Sequence, residues 1–575
     1  MNKKFWYLIG FMVLMTFFVL VIFFLKSRYF SNFNPIYKNS TFLIESDDKV
    51  LKEHFPNNDI NLKEVTSKLV WEHLEINITE NTNFENILKN TSKISENKNT
   101  LITIKFWGSP FFPNFQGRPL EKIISGEFDS SIIAICNSLK NRGNKIYIRF
   151  NPEMEIPIGI YPWQNSSIVY INAYKHFSKI CKEKSPNIKL VWGPAGYSGA
   201  IEHYPGDEFV DLVTITLKSD SEIKAPWFPK EDSISNLVYR KIQRLRFIDK
   251  PMLILGSKNL ILNKTDKKYI DKGIKKVENN SKWIYFDEKY FPQYENSKVE
   301  PKKFQLGLYD PLLNLTNNPF VTTEHVFIDF QQIKNNQLLE ILKSIEDRGH
   351  NILLTIEPWN GVGEKNDEDV LKNITLGNYD NLISIVYEEI SKIKTLVYVR
   401  FAHEMEIPIK RYTWQSVDPS IYIKAFRYFM LFPKTIPHNI KRIWGPAGDR
   451  GSLEWWPGND VVDYVSIAIY GLPDKNITDP NMQESFCTIF NRKMWRMRFI
   501  NKPVFITEFG VKGPDNYQNN WLTEASECIN ESSNLIGLSY FNMNDSPKAW
   551  GDIKPPVWSI SEKTFNNFVQ LVNKK

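Results

Sequence analysis

The chain has 575 residues, 42% hydrophobic and 24% charged, an ordinary globular balance. A net charge of +7 is spread along its length without basic clusters, which argues against nucleic acid as a partner. Four cysteines and eight histidines show no metal-ligand spacing, so neither a metal nor a cofactor is expected. Cys136, Cys181, Cys487 and Cys528 all fall in helix-patterned stretches and are expected as buried free thiols.

In chain order, Lys3 and Lys4 precede an uncharged apolar run at 5–25, long enough to span a bilayer core as a helix. No small-residue cleavage signature follows, so residues 1–30 read as an uncleaved signal anchor, a transmembrane helix. Lys26 and Arg28 balance Lys3 and Lys4, so the flanking charges barely decide orientation. The expectation is a single-pass protein of the cell membrane with its folded part extracytoplasmic. Residues 31–40 form an Asn-rich linker.

From there the pattern alternates apolar runs with amphipathic segments, the signature of βα units and a parallel sheet. Strands are predicted at 41–45, 69–76, 101–106, 145–150, 188–192, 209–217, 251–255 and 282–286. A second set follows at 305–309, 324–330, 351–357, 396–401, 440–444, 461–469, 503–507 and 535–541. The two sets restate one another. KIYIRFNPEMEIPIGIYPWQ at 145–164 returns as LVYVRFAHEMEIPIKRYTWQ at 396–415, placing Glu153 and Glu404 in register. VWGPAG, YPGDEFVDLV and RLRFIDKP return as IWGPAG, WPGNDVVDYV and RMRFINKP. Each half has the usual size of a (β/α)8 barrel. The expected fold is therefore α/β, two tandem (β/α)8 TIM barrels over 41–300 and 301–575, behind the anchor.

Glu404 follows the fourth predicted strand of the second half and Glu508 the seventh, on the rim where such barrels carry their chemistry. Two carboxyl groups facing each other across a cleft suit glycosidic-bond cleavage, one protonating the leaving oxygen and one on the other face of the sugar. A separation of about 5 to 5.5 Å makes the second a nucleophile with retention of configuration. The composition is also rich in aromatic residues, at 14% with 16 Trp, and aromatic rings can grip sugars, although most large aromatics are core.

These residues carry a resemblance. RFAHEMEIP with Tyr412 and Trp414, then IWGPAG, WPGNDVVDYVSIAIY and VFITEFG, resemble glycoside hydrolase family 26, retaining β-mannanases and β-1,3-1,4-glucanases on a (β/α)8 barrel. The resemblance spans 305–575 and, more distantly, 41–300. It implies Glu404 as general acid/base and Glu508 as nucleophile. It also implies His403 beside the acid or on the sugar, and Tyr470 bonded to the nucleophile, keeping Glu508 ionised while Glu404 holds its proton. Trp359, Trp414, Tyr540, Phe541 and Trp550 are candidate substrate-binding aromatics, with core packing the alternative for each. After the acid this chain reads Glu406-Ile407-Pro408-Ile409, a departure from the family that alters the expected surface beside the scissile bond, so mannan is not assumed.

In the first half Gly256 stands at the nucleophile position, Pro152 at that of His403 and Lys218 at that of Tyr470, with Glu153 alone retained. That half is expected to be non-catalytic, a glycan-binding or spacer barrel. The reading is a membrane-anchored retaining endo-β-glycosidase for a β-mannan or β-glucan type polysaccharide, such as the cell's own exopolysaccharide, with polysaccharide synthesis or export proteins as partners. Its rivals are a non-catalytic glycan-binding scaffold and a transglycosylase using the same pair.

Overall fold

In the computed structural model the chain is described over residues 42–46, 71–276 and 304–572, with breaks inside those ranges, the longest at 108–117, 218–232, 257–267, 472–483 and 546–553. It divides into two compact units, principally residues 34–281 and 288–575. The apolar stretch 5–25 and the expected strand at 282–286 lie outside the described residues. Among those described, no helix is long and apolar enough to cross a membrane.

The second unit is a closed barrel of eight parallel strands: β8 (Gln305–Tyr309), β9 (Thr323–Asp329), β10 (Asn351–Glu357), β11 (Val397–Phe401), β12 (Ile440–Trp444), β13 (Tyr464–Gly471), β14 (Val504–Val511) and β15 (Leu535–Phe541), with β15 closing onto β8. Helices cover the outside, so β11 and β12 are buried on both faces; β11 reads VYVRF, nearly all apolar, whereas β12 reads IKRIW and buries Lys441 and Arg442. The interior is packed by Leu353, Tyr398, Ile443, Tyr464 and Phe505. Local signals start the helices where the strands end. Asp329 and Gln332 form a capping box on the helix Phe330–Lys334. Asp418 accepts from the Ser420 N–H at the start of Pro419–Met430, whose proline occupies the first turn, where its missing N–H costs nothing.

The first unit differs from the closed barrel expected for it. Its strands are β1 (Phe42–Ser46), β2 (Trp71–Asn77), β3 (Asn99–Lys105), β4 (Ile146–Phe150), β5 (Lys189–Trp192), β6 (Leu212–Leu217) and β7 (Met252–Gly256). They form a seven-stranded parallel sheet in the order β1-β7-β6-β5-β4-β3-β2. β1 bonds to β7, not to β2, and so takes the side of β7 that β15 takes on β14. Among the described residues this sheet is open between β1 and β2. Its interior nevertheless uses the matching positions of the repeat: Leu101, Tyr147, Val191, Leu212 and Leu253.

One cysteine expectation is overturned. Helices α3 (Phe486–Met497) and α4 (Asp515–Glu531) bring the Cys487 and Cys528 Cα atoms to 5.9 Å and join them in a disulfide. Helical periodicity alone could not bring together two cysteines 41 residues apart on separate helices. Cys136 on α1 (Asp129–Ser138) and Cys181 on α2 (Ser167–Lys184) are buried free thiols, as expected.

Candidate active site

The acid side is built by the turn after β11. Ala402 and Glu404 both take left-handed backbone, φ 47° and 52°, which L-residues adopt only where surrounding contacts impose it. Those contacts are visible. The Glu404 N–H donates to the Gly445 carbonyl at 2.8 Å, Gln415 Nε2 donates to the Glu404 carbonyl at 3.3 Å, and Trp414 Nε1 donates to the His403 carbonyl at 2.7 Å. Gly445, in the IWGPAG motif, must be glycine because a Cβ there would lie 2.6 Å from Arg400 Cδ. Trp414 is therefore a fully buried brace, not a sugar platform.

The same clamp recurs in the first unit. Asn151 and Glu153 are left-handed, the Glu153 N–H donates to Gly193, Gln164 to the Glu153 carbonyl and Trp163 to the Pro152 carbonyl. Glu406 also has a partner in Glu155. It is buried and accepts from the Gly448 and Asp449 N–H groups and the Ser452 hydroxyl, as Glu155 accepts from the Gly196 and Tyr197 N–H groups. Glu406 thus points into the protein and ties the turn to the loop after β12. Of the stretch 406–409 expected to alter the surface beside the scissile bond, Glu406 is therefore no part of that surface, while Ile407 and Pro408 are not buried.

The other side is built by β13 and β14. β14 runs to Val511, so Glu508 lies within the strand and not beyond it. Ile467 pairs with Ile506 and Ala468 with Glu508, leaving Thr507 as an extra residue. The β14–β15 ladder is broken at the same place. Such a bulge bends the strand and re-aims the side chain beside it. Glu508 is 7% exposed and both its oxygens are engaged. Arg400 Nη2 donates to Oε1 at 2.7 Å and the Tyr470 hydroxyl donates to Oε2 at 3.0 Å. Arg400 is itself fixed by Nε to Thr355 Oγ1 at 2.8 Å and Nη1 to Thr507 Oγ1 at 2.7 Å. An arginine inside an apolar strand, repeated as Arg149, was the sequence signal for this role, and the motif reading passed over it.

Electrostatics separates the two acids. Burial, then the nearby charge of Glu508 and that of Glu406, push the Glu404 carboxyl up to about 8, so it carries a proton at neutral pH. Burial and the field of Glu508 also hold the Tyr470 phenol well above its ordinary value, keeping it a donor. His403, 2% exposed, is pressed well below its usual range by burial and by Arg400, and so is a neutral imidazole.

The other expected aromatics separate. Trp359 is partly exposed, edge-on to Tyr412 with centroids 4.8 Å apart, and donates from Nε1 to Glu357. Phe541 faces the site, stacked on Tyr309 at 4.5 Å and edge-on to Tyr470. Tyr540, next along β15, points the other way. It is fully buried against Phe509, with its hydroxyl on the Trp558 carbonyl, so no face is open to a sugar. Trp550 and Lys218 lie outside the described residues. Tyr309, Trp558 and Glu357 are neighbours of the site that the motifs did not single out. Trp558 packs on Tyr470 at 4.6 Å.

In the first unit Gly256 pairs in unbroken register with Leu217 on β6 and Ser46 on β1, with no bulge and no carboxylate. Lys105 occupies the position of Glu357 and forms a buried ion pair with Glu75 at 3.2 Å.

No known family profile matches the chain. It is 28% identical over 214 residues to endoglucanase H of Acetivibrio thermocellus, covering 35% of this chain and 23% of that one. It is 27% identical over 155 residues to a β-1,3-xylanase of an Alcaligenes species, covering 26% and 29%. A β-1,3-xylanase of a Vibrio species matches at 26% over 166 residues, covering 27% and 32%. The matches thus span between 23% and 32% of the length of these relatives, all polysaccharide-cleaving enzymes by name. The endo-β-1,4-mannanase of Thermotoga petrophila is similar in structure with a TM-score of 0.33 and 10% identity, over 48% of this chain and 77% of that one.

Proposed function

We propose that the second unit is a retaining endo-β-glycosidase of the family 26 type, with Glu404 as acid/base and Glu508 as nucleophile, and that the first unit is a non-catalytic sister from a duplication. The observation that supports this best is the division between the two carboxyls. One is held by Arg400 and Tyr470, while the other is raised to about 8 by burial and by its neighbour's charge. Such a division is what a two-carboxylate reaction requires.

In this reaction the Glu508 carboxylate attacks the anomeric carbon as Glu404 gives its proton to the departing glycosidic oxygen. The C–O bond breaks, the leaving chain departs as an alcohol, and the sugar is held as a glycosyl ester on Glu508. Glu404, now ionised, takes a proton from water, whose oxygen attacks the same carbon and releases Glu508. Two inversions leave the configuration unchanged. Arg400 and the Tyr470 hydroxyl hold the nucleophile's oxygens in one orientation for both steps.

The substrate in this reading is a β-linked polysaccharide of the glucan, xylan or mannan type. The uncharged stretch 5–25 supports work at the cell's own surface, the chain anchored with its units outside and acting on an exopolysaccharide beside the proteins that make or export it. The test is reducing-end release from mixed-linkage β-glucan, β-1,3-xylan and β-1,4-mannan by wild type and Glu508→Ala. Release by wild type alone, with retained anomeric configuration, is the expected result. No release from any of the three by either protein counts against the reading and in favour of a glycan-binding scaffold.

A further inference from the structure

Glu357 has no task in the two-glutamate reaction, yet it stands at the end of β10 with its carboxyl buried. Its Oε2 accepts from Trp359 Nε1 at 3.1 Å. Its Oε1 lies 3.9 Å from His403 Nε2, beyond hydrogen-bond length. His403 Nδ1 has no hydrogen-bond partner among the described residues, although the ring is almost wholly buried, and the group facing Nε2 is the Glu357 carboxyl across that gap. A buried imidazole facing a buried carboxyl across a gap too wide to bridge directly costs free energy unless something fills the gap. An oxygen about 2.8 Å from each would satisfy both.

We propose that Glu357 and His403 form a hydroxyl-reading subsite, in which one sugar hydroxyl donates to Glu357 Oε1 and lies against His403 Nε2, with Trp359 fixing the carboxylate from its other oxygen. The group that fits is neutral and both donor and acceptor, hence a hydroxyl of an uncharged sugar. A uronic acid carboxylate there would meet Glu357 as a like charge. Raised to about 7 by burial first and by Asp329, Glu357 matches a carboxyl set apart from water until a partner arrives.

The repeat supports the assignment. At the matching positions the first unit has Lys105 and Pro152, and its lysine is bound to Glu75, where the second unit has Phe327. Both members of the pair are therefore replaced in the unit that also lacks the Glu508 carboxylate.

The proposal rests on the glycosidase reading, so its test uses binding, which does not need turnover. Full-length Glu508→Ala protein is titrated by calorimetry with cellotetraose, β-1,3-xylotetraose and mannotetraose, then again carrying Glu357→Ala, Glu357→Gln or His403→Ala. The tightest tetrasaccharide is expected to lose about tenfold or more in affinity with Glu357→Ala, and distinctly less with Glu357→Gln, whose amide oxygen still accepts. Glu357→Ala and His403→Ala together are expected to cost little more than either alone, because one hydroxyl is lost in each case. Unchanged affinity in Glu357→Ala, or equal losses in the Ala and Gln variants that add fully to His403→Ala, would overturn the subsite and leave the glycosidase reading standing. If the Glu508→Ala protein binds none of the three and wild type cleaves none of the polysaccharides, both fall together.

Discussion

Set beside each other, the turns after β4 and β11 are nearly the same object, while the strands β7 and β14 are not. Both turns hold a glutamate in left-handed backbone by the same tryptophan, glutamine and glycine contacts, and tie a second glutamate to the loop after the next strand. The β6–β7 ladder runs straight to Gly256, whereas β13–β14 inserts Thr507 and turns Glu508 between Arg400 and Tyr470. The frame that shapes the turn is thus separable from the groups that would do chemistry. The tryptophan, glutamine and glycine of the clamp, kept in both units, serve folding, and Glu404, kept as Glu153, gains a task in the proposed reaction only where Glu508, Tyr470 and His403 stand beside it in the second unit.

That contrast can be broken by substitution. Glu508→Ala is expected to lower turnover by at least about a thousandfold in reducing-end assays, since no group remains to form the glycosyl ester. Glu153→Ala in the first unit is expected to leave the rate unchanged, and a comparable fall there would end the division of labour. Arg400→Met is next. It removes the cation from a buried pair, with an expected loss of about a hundredfold in kcat and about 3 kcal/mol in denaturant unfolding. Arg149→Met should leave kcat alone.

The pH profile sharpens the same point. Glu404 must be protonated to act as acid, and its carboxyl is raised to about 8, so kcat/KM should fall about tenfold per pH unit above roughly pH 8. An alkaline limb starting near pH 5 would mean that the raised carboxyl is not the acid. The smallest expected effect is on the shared frame. Glu155→Ala and Glu406→Ala each orphan buried donors and should each cost about 2 kcal/mol in unfolding. Only Glu406→Ala should also lower turnover.

Much of this was legible beforehand. Apolar runs between amphipathic segments located the eight strands of the second unit, because a parallel sheet covered on both faces admits few polar residues. The repeated EMEIP and WGPAG pieces marked the turn and the glycine on which it depends. What could not be read were contacts made across long separations. The Arg400–Glu508 bond joins residues 108 apart. The Thr507 bulge is a relation between ladders, not a residue type. The inward turn of Glu406 depends on donors 42 to 46 residues away. The pairing of β1 with β7 was likewise invisible, since an edge strand's partner is decided by which neighbour is within reach.

The disulfide between α3 and α4 encloses the strand that carries Glu508. Stretched from its two ends in an oxidising buffer, the molecule would pay out every segment except this one. Its measured extension would stop about 130 Å short of the reduced chain, from the 41-residue separation at about 3.4 Å per residue less the 5.9 Å that the disulfide spans. A missing length of that size in a force trace, restored by a reductant, would locate the covalent staple without any assay of activity.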